Sequence, residues 1–234
     1  MNGTLSVVAT PIGNLEDITL RALRTFKECD VIYAEDTRVI SKLLARYEIK
    51  KPLQRLDAAT ELKKAEEISL RLEAGEKVVF VTDAGTPGIS DPGARLVRHI
   101  RTSSEGGSTS GGNGSGIKIE TIPGPSALTA ALSVAGIDAT EFTFLGFLPH
   151  KKGRQTALKK IAESEIPVVL YESPHRILKL MAELGSIQVE RVVIARELTK
   201  IYEEVLTGEP SELARVLEEK GGARGEFVVI IPRN

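Results

Sequence analysis

The sequence predicts an α/β protein of two α/β domains, the first on a mainly parallel sheet and the second on a mixed one. Three observations carry this expectation. Apolar, β-rich runs alternate with helical periodicity in the first half, a Gly/Ser-rich stretch divides the chain near its middle, and the C-terminal part sets strand-like runs close together. In order, Leu5–Ala9, Val31–Ala34 and Val78–Val81 read as strands, and Leu62, Ala65, Ile68 and Leu72 share one helix face with charged residues between them. That alternation predicts parallel βαβ units. Thr102–Gly116 offers almost nothing apolar to bury and reads as a flexible linker or loop, which sets the domains at 1–101 and 117–234. Beyond it come Ile117–Ile122, a small-residue helix from Ser126 to Ala135, strands near Phe142–Leu145 and Val168–Tyr171, and a helix from Pro174 to Leu184. Arg191–Arg196, Tyr202–Thr207 and Glu226–Ile231 are strand-like, with a helix over Ser211–Lys220, and the short connection Glu197–Ile201 favours antiparallel pairing.

The chain has 234 residues, 41% hydrophobic and 27% charged, which suits a globular protein with a substantial core. Its apolar runs break well short of the roughly eighteen residues of a membrane span, and no basic region leads into an apolar run at the N-terminus. A cytoplasmic protein with no membrane partner is expected. Cys29 stands alone, and His99, His150 and His175 are too scattered for a zinc site, so no disulfide and no metal are expected. A formal charge of −1 excludes a uniformly basic nucleic-acid binder and leaves room for a local basic patch.

Open α/β sheets bind ligands at the carboxyl ends of their strands, and there the sequence is unusual. The first strand ends in Ala9-Thr10-Pro11-Ile12-Gly13-Asn14, a turn that either only starts a helix or approaches a ligand. The second ends in Glu35-Asp36-Thr37-Arg38, where the carboxylates either do chemistry or, for Asp36, cap the next helix. Thr82–Gly93 (TDAGTPGISDPG) is the most informative stretch: glycines and prolines specify a rigid loop with a closely approachable backbone, and Asp83, Ser90 and Asp91 supply polar ends. Pro123-Gly124-Pro125-Ser126-Ala127 opens a helix whose N-terminus either is simply well capped or receives hydrogen-bond-accepting ligand atoms. Gly112–Gly116 imitates a dinucleotide fingerprint, but no strand precedes it. Gly146–Arg154 (GFLPHKKGR) is a basic turn beside an aromatic, suited to phosphate and base contacts in single-stranded RNA, or a solvated helix start. Tyr171–Arg176, Ala195–Lys200 and the Gly225-Glu226 pair again place polar groups at strand ends.

In this order the segments ATPIGNLEDIT, AEDTR, TDAGTPGISDPG, PGPSA, GFLPHKKGR, YESPHR, RELTK and GEFVV resemble the ribosomal RNA small subunit methyltransferase I family, a branch of the tetrapyrrole-methylase superfamily, from Thr4 to Ile231. The resemblance implies two α/β domains of the tetrapyrrole-methylase type, S-adenosyl-L-methionine in an interdomain cleft, and a homodimer. Carried over to this sequence, the cofactor contacts are Pro11, Asp83, Gly85, Ile89, Ser90, Ser126 and Ala127, completed by Tyr171, Ala195, Gly225 and Glu226. The implied reaction is 2′-O-methylation of a cytidine ribose in the decoding region of 16S ribosomal RNA, with small-subunit RNA as partner and no DNA. Glu35, Asp36 and Arg38 are the first candidates for proton transfer or charge stabilisation and Lys151 the second, while Lys151, Lys152 and Arg154 form the candidate phosphate contact. Two departures stand out: Arg55–Glu61 reads RLDAATE where relatives carry a histidine- and asparagine-containing stretch, and a C-terminal helical extension common in relatives is missing. The competing functions are methylation of a small tetrapyrrole-like precursor and a cofactor-holding RNA-binding or ribosome-assembly factor without turnover.

Overall fold

Four consecutive buried residues in Val31–Ala34 show how the first sheet is built: a strand covered on both faces needs no polar alternation. The computed structural model describes residues 3–104, 116–219 and 224–233 and divides into two units, Met1–Ser126 and Ala127–Asn234. The first unit runs β1 (Thr4–Val8), α1 (Leu20–Glu28), β2 (Val31–Ala34), α2 (Thr37–Arg46), β3 (Leu53–Arg55), α3 (Glu61–Glu73), β4 (Lys77–Val81), α4 (Ala94–Ser104) and β5 (Lys118–Ile122). Its strands pair in the order β3-β2-β4-β1-β5, every pair parallel. Parallel pairing requires crossovers, and the helices supply them on both faces. Phe26 of α1 and Ile40, Leu43 and Leu44 of α2 pack on Val8, Ile32, Val79 and Val81. Ile68 and Leu72 of α3 and Leu96 and Ile100 of α4 pack on Leu5, Val31, Val78 and Phe80.

The division expected at 102–116 is displaced. Thr102, Ser103 and Ser104 finish α4, residues 105–115 lie outside the described residues, and β5 pairs along its length with β1, from Thr4 beside Lys118 to Val8 beside Ile122. The Gly/Ser-rich run therefore joins α4 to β5 within the first unit, and the division falls at Ser126 and Ala127. A polar stretch marks where nothing is buried, which holds for an insertion in a βαβ crossover as well as for a linker.

The second unit runs α5 (Ala127–Val134), β6 (Thr143–Phe147), α6 (Arg154–Ala162), β7 (Val168–Glu172), α7 (Ile177–Ser186), β8 (Val192–Arg196), β9 (Glu204–Gly208), α8 (Pro210–Glu219) and β10 (Phe227–Ile231). The order is β6-β7-β10-β8-β9, with β6 and β7 parallel and the rest antiparallel, as the short β8–β9 connection predicts. Residues from α6, α7 and α8, among them Ile161, Leu180, Leu184 and Leu217, cover the face that carries Leu170, Ile194 and Val229. Tyr171 points to the other face, where its hydroxyl meets the start of α5. Among the described residues no helix is long and apolar enough to cross a membrane.

Candidate functional site

All five strands of the first sheet end at one edge, and the loops leaving that edge are cross-tied. Ala9 N donates to Ile122 O at 3.1 Å, and Thr10 and Gly85 exchange backbone hydrogen bonds of 3.0 Å in each direction. Asp36 N donates to Asp83 Oδ1 at 3.0 Å, and Thr86 Oγ1 to Pro125 O at 3.2 Å. The loops after β1, β2, β4 and β5 thus form one frame. Gly85 has φ +76°, so glycine gives the bridge its left-handed conformation, while a Cβ there would meet only ordinary contacts, 3.5 Å to Ile12 Cγ2 and 3.7 Å to Pro125 O. Pro11 and Gly85 are buried, while Asp83, Ile89 and Ser90 are exposed around them. Ser90 holds φ 67°, a strained state for a residue with a side chain and of the kind that collects at ligand-binding loops.

The edge is rich in carboxylates, and their surroundings separate them. Asp36 accepts from Arg38 N at 2.8 Å as the cap of α2, and its oxygens meet Arg38 Nη2 at 2.5 Å and Nε at 3.0 Å. Hydrogen bonds from the Arg38 side chain, then from its backbone, hold Asp36 down at about 2. Burial, then the charge of Asp83, raises Glu35. Burial, then Glu35 and Asp83, pushes Asp91 up to about 6, against the Thr82 hydroxyl. The Arg55–Glu61 segment makes its hydrogen bonds within the first unit. Asp57 Oδ1 accepts from Ala59 N and Thr60 N at 3.1 and 3.0 Å, and Glu61 Oε1 accepts from Gly93, Arg95 and Leu96 N at 2.9, 3.0 and 2.9 Å, tying the start of α4 to α3.

In the second unit Tyr171 Oη accepts from Leu128 N at 3.2 Å, filling one of the open donors in the first turn of α5. Its ring has Phe144 and Phe147 edge-on at 4.9 and 5.7 Å. Ala195 is buried between Val228 and Val205 in register. Gly225 has φ +99°, and a Cβ there would sit 2.4 Å from Glu197 Cγ. Glu226 N donates to Glu197 Oε1 at 3.0 Å, and Lys200 Nζ bridges Glu197 and Glu226 at 2.8 and 2.9 Å. In the basic turn Phe147, Lys151 and Lys152 are exposed, and Arg154 is not. Arg154 is 4% exposed, donates to both oxygens of Glu183 and to Pro149 O, and so has no fork left for a phosphate; its expected RNA role is corrected.

The model of the tetrapyrrole (corrin/porphyrin) methylases matches residues 4–214. The ribosomal RNA small subunit methyltransferase I of Thermotoga maritima is 43% identical over 230 residues, covering 98% of each chain. That of Xylella fastidiosa is 44% identical over 233 residues, 98% of this chain and 81% of its own. The chain belongs to the ribosomal RNA small subunit methyltransferase I family of tetrapyrrole methylases. Solved structures agree on the fold alone: a diphthine synthase superposes with a TM-score of 0.73 at 16% identity, covering 99% of this chain and 90% of its own. A cobalt-precorrin-4 methyltransferase does so with a TM-score of 0.68 at 18% identity, covering 97% and 94%. For this methyltransferase the sequence marks Asp91 only as a polar loop end. What sequence reasoning missed is the gathering of Asp91, Glu35 and Asp83 from two loops, for which no spacing along the chain is a signal.

Proposed function

We propose that the protein is an S-adenosyl-L-methionine-dependent methyltransferase that methylates a cytidine ribose 2′-hydroxyl in the decoding region of 16S ribosomal RNA. The observation that carries the reading is the cross-tied frame at the carboxyl edge of the first sheet, in a chain 43% identical over its length to a ribosomal RNA methyltransferase. What supports the cofactor reading is a glycine-shaped bridge at Gly85 flanked by exposed Asp83 and Ser90, whose carboxylate and hydroxyl suit the amine and hydroxyl groups of the cofactor. Pro11, Asp83, Gly85, Ile89, Ser90, Ser126, Ala127, Tyr171, Ala195, Gly225 and Glu226 are the proposed contacts, as the family resemblance implies. When bound, the cofactor supplies a methyl group already activated on sulfonium, so the protein mainly orients.

Glu35 is the proposed base for the ribose hydroxyl, because burial and Asp83 raise its proton affinity, whereas Asp36 is held ionised by Arg38. The Asp36–Arg38 pair fixes the loop, with the exposed guanidinium face available to developing negative charge. Lys151 and Lys152 contact RNA phosphates, and exposed Phe147 offers a face to a base. The active form is a cytoplasmic homodimer, checked by sedimentation. For the chemistry, E35Q should lower turnover on unmodified small subunits by about 10²–10⁴-fold with cofactor affinity unchanged. Wild-type turnover in E35Q removes Glu35 from the role.

A further inference from the structure

The turn between β6 and α6 is clasped from beneath by two arginines. Arg154 Nη1 donates to Pro149 O at 3.1 Å, and Arg176 Nη2 donates to Leu148 O at 2.5 Å. Each guanidinium is fixed in turn by carboxylates. Arg154 Nε and Nη2 take both oxygens of Glu183 at 2.6 to 2.9 Å, and Arg176 Nε lies 3.2 Å from Glu172 Oε1. Glu172, fully buried at the end of β7, stands between the two, with Oε2 3.9 Å from Arg154 Nη2 and Oε1 accepting from Ser173 N at 2.9 Å. Arg176 Nη1 also meets His150 Nε2 at 3.3 Å.

A buried ionic network of this size gives no assured gain in stability over apolar packing. What these hydrogen bonds specify, and apolar side chains would not, is the path of the main chain at Leu148 and Pro149. Immediately around that fixed stretch stand Phe147, 53% exposed, and the exposed side chains of His150, Lys151 and Lys152. We infer that Arg154 and Arg176, with Glu172 and Glu183, are positioning residues that preorganise the 147–152 turn for single-stranded RNA. This rests on the proposed RNA substrate. The arginines touch no RNA; they remove the ordering cost that the turn would otherwise meet on binding.

The test compares R154K and E183Q with the K151A/K152A double variant. Lysine keeps the charge of Arg154 and loses its planar fork, and E183Q serves the same end if R154K does not fold. In the free protein, hydrogen exchange should quicken at residues 148–152 in both single variants and nowhere else. On RNA, each should raise KM about tenfold with kcat and cofactor affinity unchanged, tenfold being the loss of about 1.4 kcal/mol. The slope of log affinity against log salt should stay at the wild-type value in R154K and fall by about 1.5 in K151A/K152A, as loss of two phosphate contacts requires. A reduced slope in R154K makes Arg154 a phosphate contact and overturns the inference. So does unchanged exchange at 148–152, or a joint fall of kcat and cofactor affinity, which marks a merely structural role. Failure of wild-type protein to bind RNA defeats the substrate reading, while the exchange experiment still decides whether the arginines hold the turn.

Discussion

Asp91 owes its behaviour first to the partial burial of its carboxyl and then to the charges of Glu35 and Asp83. Its folded value of about 6 lies above the ordinary 3.8, so ionisation works against folding. Well below pH 3.8 the group is neutral in both states and contributes nothing. Between there and about 6 the unfolded chain releases its proton first, and the penalty then stays constant at higher pH. With solvent screening of a half-buried group allowed for, D91N should stabilise the protein at pH 8 by about 1–2 kcal/mol, a rise of roughly 2–4 °C per kcal/mol in thermal unfolding, and by much less at pH 4. Equal shifts at both pH values would remove the charge cluster as the cause. Arg154 carries the opposite lesson, because here the sequence did hold a signal. Arg154, Leu158 and Ile161 are the buried residues of α6 and show the i, i+4, i+7 spacing of a core face, so the arginine belongs to that stripe although its charge and basic neighbours point to solvent.

Strands with apolar runs were legible: Leu5–Ala9, Val31–Ala34 and Val78–Val81 correspond to β1, β2 and β4 within a residue or so. The three-residue β3 was not, because Leu-Gln-Arg has neither an apolar run nor clean alternation, and its place comes from pairing with β2. The Gly/Ser-rich run was read as the boundary, whereas the pairing of β5 with β1, which no local pattern announces, assigns Lys118–Ile122 to the first sheet. Loop chemistry was more readable. Asp36 caps its helix as one of its two readings allowed, and the glycines at 85 and 225 stand where the backbone is left-handed or crowded. At Gly225 a methyl group would meet Glu197 at 2.4 Å in a backbone state of φ +99°. G225A should cost about 1–3 kcal/mol and release the Lys200 bridge between Glu197 and Glu226. A variant as stable as wild type in denaturant titration, with the bridge intact, would contradict this.

At the scale of the molecule, two units with differently wired sheets carry one family's motifs over nearly the whole chain. The fold places the loops after β1, β2, β4 and β5 along one edge, which turns segments scattered through more than a hundred residues of sequence into a single hydrogen-bonded frame. On the proposed reading the frame receives the methyl donor, and the basic turn receives the RNA. The most direct test is transfer of labelled methyl from S-adenosylmethionine to small ribosomal subunits lacking the modification, with the labelled nucleotide mapped by mass spectrometry. The account predicts label on a cytidine ribose in the decoding region. Label on a base or on a small tetrapyrrole-like acceptor alone, or tight cofactor binding with no transfer to any subunit, would contradict it.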